Sequence, residues 1–212
     1  MNIPKPNPAI MTLYSSFDAI SCHCVRFVVA EKDIEASIYN IDIKDMPEEV
    51  LELNPYQTLP TLYDRELVLY DVLVMLEYLD ERFPFPPLMP VDPIERAETR
   101  QLLFRLFRAE DSWYNLVQTI LYSKVKKDKE AARKKFKAGL IQLIPLFESQ
   151  KYFKSDTLTV LDVFLGTVLL RLKKMEIELP PKAKPIYDYA QRIFAKQSFQ
   201  KSLTDGEKEY LW

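Results

Sequence analysis

Glycine is almost missing from this 212-residue sequence, with three residues in all. Loops that cradle phosphate need glycine for close backbone approach, so neither a P-loop nor a dinucleotide fingerprint is present. Histidine occurs once, at His23, and cysteine twice, at Cys22 and Cys24. No four-ligand zinc set can be drawn from these in one chain, and no metal is expected. Two cysteines one residue apart cannot brace a fold as a secreted disulfide framework does, which points to a reducing compartment. Long apolar runs are also lacking. The longest without a charge, Val163 to Leu170, is far too short to span a bilayer, and the N-terminus holds no apolar segment of signal-peptide length. The formal net charge of −2 excludes a strong global field toward nucleic acid or an anionic membrane. A cytoplasmic protein without a membrane segment is expected.

What the sequence does have is proline, fifteen residues of it, unevenly placed. Residues 1–10 carry three and read as a flexible lead-in. Over residues 11–83 the pattern alternates between periods of two and 3.6. Strands are expected at 10–14 and 36–43, helices at 21–32 and 47–53, and a hairpin at 59–69 turning on Asp64-Arg65. A further helix follows at 71–82. Strand, helix, strand, helix, two strands and helix make a thioredoxin-like α/β layer. Residues 84–93 form a stiff proline-rich connector, and residues 94–212 read as all-helical. Asp92-Pro93-Ile94-Glu95 carries the marks of a helix start, and one long helix is expected from there to about Ser123. Others are expected at 128–147, bent at Pro145, at 161–172 and at 184–195. Thr204 to Glu207 can cap a short tail turn. The fold class is thus α/β plus all-α, with a helical bundle after the thioredoxin-like subdomain.

Several constellations have both a structural and a functional reading. Leu59-Pro60 stands at a strand edge. In thioredoxin-like domains a proline here is cis and turns the preceding backbone toward a ligand, whereas an ordinary edge proline would be trans. Thr159-Val160-Leu161-Asp162 is a capping box opening the most apolar helix, and Thr159 and Asp162 are assigned a folding role alone. Cys22-His23-Cys24 reads mainly as small fillers near a helix start, with a reactive Cys22 as the alternative. From Lys124 to Lys137, eight basic and two acidic residues leave a local charge of +6. A solvated helix connection explains such a run, and contact with DNA phosphate or an acidic protein is the functional reading. The stretch from Arg82 to Pro90 combines aromatic and apolar side chains with stiff prolines. It suits either a protein-recognition surface or a linker packed on its own subdomains.

Together, the α/β layer, Leu59-Pro60, the Thr159–Asp162 box and the helical second half resemble the glutathione transferase superfamily. Val25 to Lys32, Leu53-Asn54-Pro55, Pro60 to Leu67, Glu77 to Pro84, Pro86 to Val91 and Ser202-Leu203-Thr204 are similar to the bacterial stringent starvation protein A family. That resemblance implies a homodimer, or a heterodimer with a paralogue, that binds RNA polymerase holoenzyme and its primary sigma subunit in stress or starvation. It implies no cofactor and no transferase activity. The family's surface pocket centres on Pro-His-Pro, matched here by Pro84, Phe85 and Pro86, flanked by Phe83 and Pro87. An aromatic plate therefore replaces an imidazole.

Against the superfamily's enzymes, the glutathione site is degenerate. It is represented by Ser16, Leu59, Pro60 and Asp71. Val72 follows Asp71 where active members place a serine, and counting seven back from Arg26, to where the thiol-transfer subclass keeps its cysteine, gives Ala19. No catalytic residue is assigned. An active transferase or thiol reductase using Ser16 or Cys22 is the alternative, and a dimerising scaffold for another stress protein is a third reading. Val72, Phe104 and Phe107 are the apolar residues expected to line a dimer face.

Overall fold

A computed structural model describes residues 6–212; residues 1–5 of the expected lead-in lie outside the described residues. Strand β1 (Met11–Ser15) is buried along its whole length, as suits a strand with neighbours on both edges. It pairs in parallel with β2 (Ala36–Asn40), Leu13 opposite Ile38. It also pairs antiparallel with β3 (Thr61–Asp64), which turns back into β4 (Leu67–Leu69). The sheet order is β2-β1-β3-β4. The parallel β1–β2 crossover is made by α1 (Ile20–Glu31), buried continuously from Ile20 to Val29. After β2 come a 3₁₀ turn at Ile43–Asp45 and α2 (Glu48–Leu53). Helix α3 (Val72–Arg82) follows the hairpin. The hairpin turns one residue later than expected, on Arg65-Glu66, with Asp64 opposite Leu67. Asp64 is held in the strand because its carboxylate accepts the Tyr78 hydroxyl at 2.5 Å and meets Arg82 Nε at 2.7 Å.

The second unit is helical. Helix α4 (Pro93–Phe107) is capped by Asp92, which accepts from the Ile94 and Glu95 amides. The single long helix expected to Ser123 is in fact two. The chain breaks at 108–112, and α5 (Trp113–Tyr122) begins anew under Ser112, whose hydroxyl accepts the Asn115 amide at 3.1 Å. A capping serine within an apolar-periodic stretch outcompetes continuation of the helix. Helix α6 (Lys126–Gln142) follows, and Gly139 in it lets the Trp113 indole approach: an added Cβ would stand 3.3 Å from its Nε1. The expected bend at Pro145 is a break, because α7 (Ile144–Ser149) is a separate helix with proline in its first turn. Helix α8 (Val160–Leu169) is buried at every residue, and α9 (Lys184–Phe194) packs beside it. Phe107 and Phe164 meet at 4.5 Å between ring centroids, and Phe147 and Tyr189 at 4.9 Å.

Asp162 organises the start of α8. Its carboxylate accepts the Thr159 amide (2.7 Å) and hydroxyl (2.9 Å), the Phe153 amide (2.8 Å) and the Tyr189 hydroxyl (2.6 Å). The Asp162 amide itself turns to the Thr159 carbonyl.

Two short helices close the chain, α10 (Gln197–Ser202) and α11 (Asp205–Lys208), the latter capped by Thr204 and Glu207. They do not belong with the bundle, as the residue 94–212 boundary would have it. The chain divides into a unit ending at Pro86 that also takes in Gln197–Glu209, and a unit running from Pro87 to Lys196 with Tyr210–Trp212. Phe199 of α10 sets its ring against Phe27 of α1 at 5.1 Å and against His23 at 5.2 Å.

Candidate functional site

In the first unit, most of the polar groups around the end of β1 and the loop after it are engaged internally. Arg26 of α1, nearly fully buried, donates from one guanidinium nitrogen to the Ser15 hydroxyl (2.6 Å) and the Ser16 carbonyl (2.9 Å). Its Nε reaches the Ser202 carbonyl, and its other nitrogen the Glu207 carboxylate at 2.5 Å. The Ser16 hydroxyl accepts the Ala19 amide at 2.9 Å, and the Ser16 amide donates to Cys22 Sγ at 3.2 Å. His23, the one imidazole, has no exposed surface and shares a hydrogen bond with the Ser202 hydroxyl at 3.0 Å. A serine nucleophile needs a base within reach, and Ser16, half-buried, makes no such pairing among the described residues.

Cys22 is equally withdrawn. Burial pushes its thiol above the usual range, outweighing the hydrogen bond from Ser16, and a protonated buried thiol is a poor nucleophile. Cys24 is buried too. The Tyr14 hydroxyl lies inside, in a cluster with Ile41 and Val50, and has no hydrogen-bond partner among the described residues. Burial first, then its neighbours Tyr39, Glu49 and Tyr63, pushes it up to about 12.

The other residues of the expected glutathione site are also engaged locally. Leu59-Pro60 is cis, and Leu59 packs on the Tyr14 cluster. The loop before it is pinned by buried Asn54, whose amide nitrogen donates to the Thr58 carbonyl (2.9 Å) and the Thr61 hydroxyl (2.9 Å). In the sequence Asn54 signalled only a helix stop. Asp71 caps α3, accepting the Leu73 and Val74 amides at 2.9 and 3.4 Å. Two cavities of this unit, of about 200 and 180 Å³, have neither Ser16, Leu59, Pro60 nor Asp71 in their walls. Among the described residues no group of three His, Cys, Asp or Glu could hold a metal ion, and no helix is long and apolar enough to cross a membrane.

The end of α3 is built differently. Lys32, at the end of α1, has a fully buried side chain, and its ammonium has three acceptors: the Asp80 carboxylate at 2.8 Å, the Phe83 carbonyl at 2.6 Å and the Pro86 carbonyl at 2.7 Å. An ammonium has three N–H donors, so all are used. The two carbonyls bracket Pro84 and Phe85, and the loop between them stands outward. Phe85 is 81% exposed, the Phe85–Pro86 bond is cis, and Pro84 and Pro86 are exposed on either side. Phe83 is half-buried, with the Arg82 guanidinium 5.2 Å from its ring centroid. Pro87, exposed, begins the second unit. The remainder of the greasy stretch turns inward: Leu88 and Met89 are buried, and the Leu88 carbonyl accepts the Val160 amide. Lys32 and Asp80 gave no sign of this role beyond standing in family-like strings, since their loop partners are fixed only by folding.

The apolar residues expected at a dimer face divide as well. Val72 and Phe107 are buried in their own units, facing their cores. Phe104 of α4 is exposed, as is Val74 of α3, two residues from Val72 and so on the opposite side of that helix. Tyr56 and Tyr70, both exposed, pair at 5.0 Å.

Both units match known protein families. The family model for the glutathione S-transferase N-terminal domain covers residues 13–87, and that for the C-terminal domain covers residues 96–197. The class is therefore a glutathione transferase-like fold: a thioredoxin-like domain followed by a helical domain. A glutathione transferase Omega 3C from Trametes versicolor shares it with a TM-score of 0.80 at 18% identity, over 94% of this chain and 90% of that one. Within that class the chain belongs to the stringent starvation protein A family. It is 42% identical over 202 residues to the stringent starvation protein A homolog of Coxiella burnetii, covering 95% of each chain. To the homolog of Haemophilus influenzae it is 37% identical over 212 residues, covering 100% of this chain and 98% of that one.

Proposed function

We propose that this protein acts by docking a protein partner on the Pro84-Phe85-Pro86 loop, and that the partner is RNA polymerase holoenzyme carrying its primary sigma subunit. The observation that carries the reading is the exposure of Phe85 on a loop whose two flanking carbonyls are held by one buried lysine. A large side chain left in water costs solvation free energy that a monomer avoids by burying it. Presenting it on a clamped segment lowers the entropy lost on binding. Aromatic side chains in rigid settings are the usual energetic anchors of interfaces, and the two prolines add stiffness. The buried, protonated Cys22 and the lack of a base beside Ser16 among the described residues support binding rather than transferase chemistry, and we infer a homodimer, which doubles the docking loop. The stress-response setting comes from the family's name.

Affinity capture with tagged protein from cells, comparing wild type with Phe85→Ala, tests this. Wild type is expected to retain polymerase and sigma, and the variant to lose most of both. Equal recovery of polymerase by the two would overturn the assignment of the loop. Retention of wild type on immobilised glutathione, with turnover abolished by Ser16→Ala, would replace it with the enzyme.

A further inference from the structure

The outer face of α6 carries lysines that the fold does not use. Its inner stripe, Ala132, Phe136 and Leu140, is buried. Three of its basic groups have partners within the unit. Arg133 pairs with Glu176 at 2.6 Å, Lys135 with Asp111 at 3.3 Å, and Lys129 reaches the Leu121 carbonyl at 3.4 Å. Lys124, Lys126, Lys127, Lys134 and Lys137 make no hydrogen bond or ion pair among the described residues, and all but the half-buried Lys137 are exposed. At about 100° per residue, Lys126, Lys137, Lys134 and Lys127 fall within an arc of about 100°, spread over roughly 16 Å of helix. Of the two acids in the stretch, Asp128 falls outside that arc, whereas the exposed Glu130 falls within it, one turn from both Lys126 and Lys134, leaving four positive charges against one negative.

Local stability explains only part of this placement, through Glu130 set i,i+4 to Lys134. Lys126 and Lys127 stand in the first turn, where the helix dipole disfavours cations. The face also lacks what a protein interface needs at its centre. From 126 to 137 the one exposed apolar side chain is Ala131, whereas protein hot spots are aromatic or large. Exposed Tyr122 and Val125 precede the helix, at one end of the array. Lysine supplies flexible point charges suited to phosphate and lacks the planar fork with which arginine reads guanine.

We propose that this face binds the phosphate backbone of double-stranded DNA without reading its sequence. The inference lies wholly within the second unit and does not depend on the docking role of Phe85.

Fluorescence anisotropy with two unrelated labelled duplexes of about 20 base pairs, titrated from 25 to 150 mM salt, tests it. Wild type is expected to bind both equally, with log affinity falling against log salt at a slope of about −3 to −4.5, for three to five phosphates. The triple variant Lys126→Glu, Lys127→Glu, Lys134→Glu is expected to keep its thermal midpoint, to bind at least ~10-fold more weakly at 50 mM salt, and to lose about 2.7 from the slope magnitude. Phe85→Ala is expected to bind the duplexes as wild type does. No binding by wild type at 25 mM salt, unchanged binding by the triple variant, or tighter binding of a polyglutamate peptide than of either duplex would each overturn the proposal.

Discussion

Replacing Lys32 with methionine removes the one ammonium that meets the Asp80 carboxylate and the Phe83 and Pro86 carbonyls. The Lys32 side chain is fully buried and Asp80 nearly so, with 2.8 Å between the charges. Breaking such a buried pair from one side costs about 3–5 kcal/mol, because a carboxylate is left in a poorly solvated setting. The two carbonyls at 2.6 and 2.7 Å lose their donor in the same step, though on the chain surface they can recover water. A loss of about 3–5 kcal/mol corresponds to a fall of roughly 6–20 °C in thermal midpoint at this chain length. Urea unfolding followed by circular dichroism, with the thermal midpoint alongside, measures it. Adding Asp80→Leu should restore part of the loss, because exchanging both charges for apolar groups is far cheaper than stranding one. Lys32→Met should also free the 83–86 segment and weaken partner capture. A Lys32→Met protein within ~1 kcal/mol of wild type would refute the clamp.

Two further outcomes follow from the buried network of α1. Glu207→Ala strands Arg26, whose ion pair is buried on both sides at 2.5 Å, and also removes the acceptor of the Thr204 amide. A loss of about 3–5 kcal/mol is expected, together with faster amide hydrogen exchange in residues 197–208, read by mass spectrometry. Cys22 and Cys24 are fully buried and the Cys22 thiol is pushed up. A disulfide dye at pH 8 should therefore label neither in the native protein and both after unfolding, whereas rapid stoichiometric labelling of native protein would contradict the burial.

The elements legible in the sequence are those defined by local rules. Alternation marks β1 and β3, Asp92-Pro93 marks the start of α4, and Thr159 to Asp162 marks the start of α8, because caps and periodicity are settled within a few residues. The break between α4 and α5 is not legible in the sequence, since apolar spacing runs across it and Ser112 alone signals a stop. Placement of Gln197–Glu209 beside α1 depends on Phe199 meeting Phe27 and on Glu207 reaching Arg26, partners some 170–180 positions away, which no local pattern encodes. The site shows the same division. Phe85 was visible as an aromatic between prolines, and it is exposed. Leu88 and Met89 belong to the same composition, and they are buried. Composition defined a stiff apolar stretch, while the acceptors that Lys32 found decided which part of it faces out.

The most direct measurement is the affinity of purified, sigma-loaded RNA polymerase for wild type and Phe85→Ala by biolayer interferometry, with both proteins shown to melt alike. An exposed anchor contributes nothing to its own fold, so the midpoint should not move, while loss of a hot-spot residue worth about 2 kcal/mol or more should weaken binding ~30-fold or more. Equal affinities for the two proteins would contradict the account.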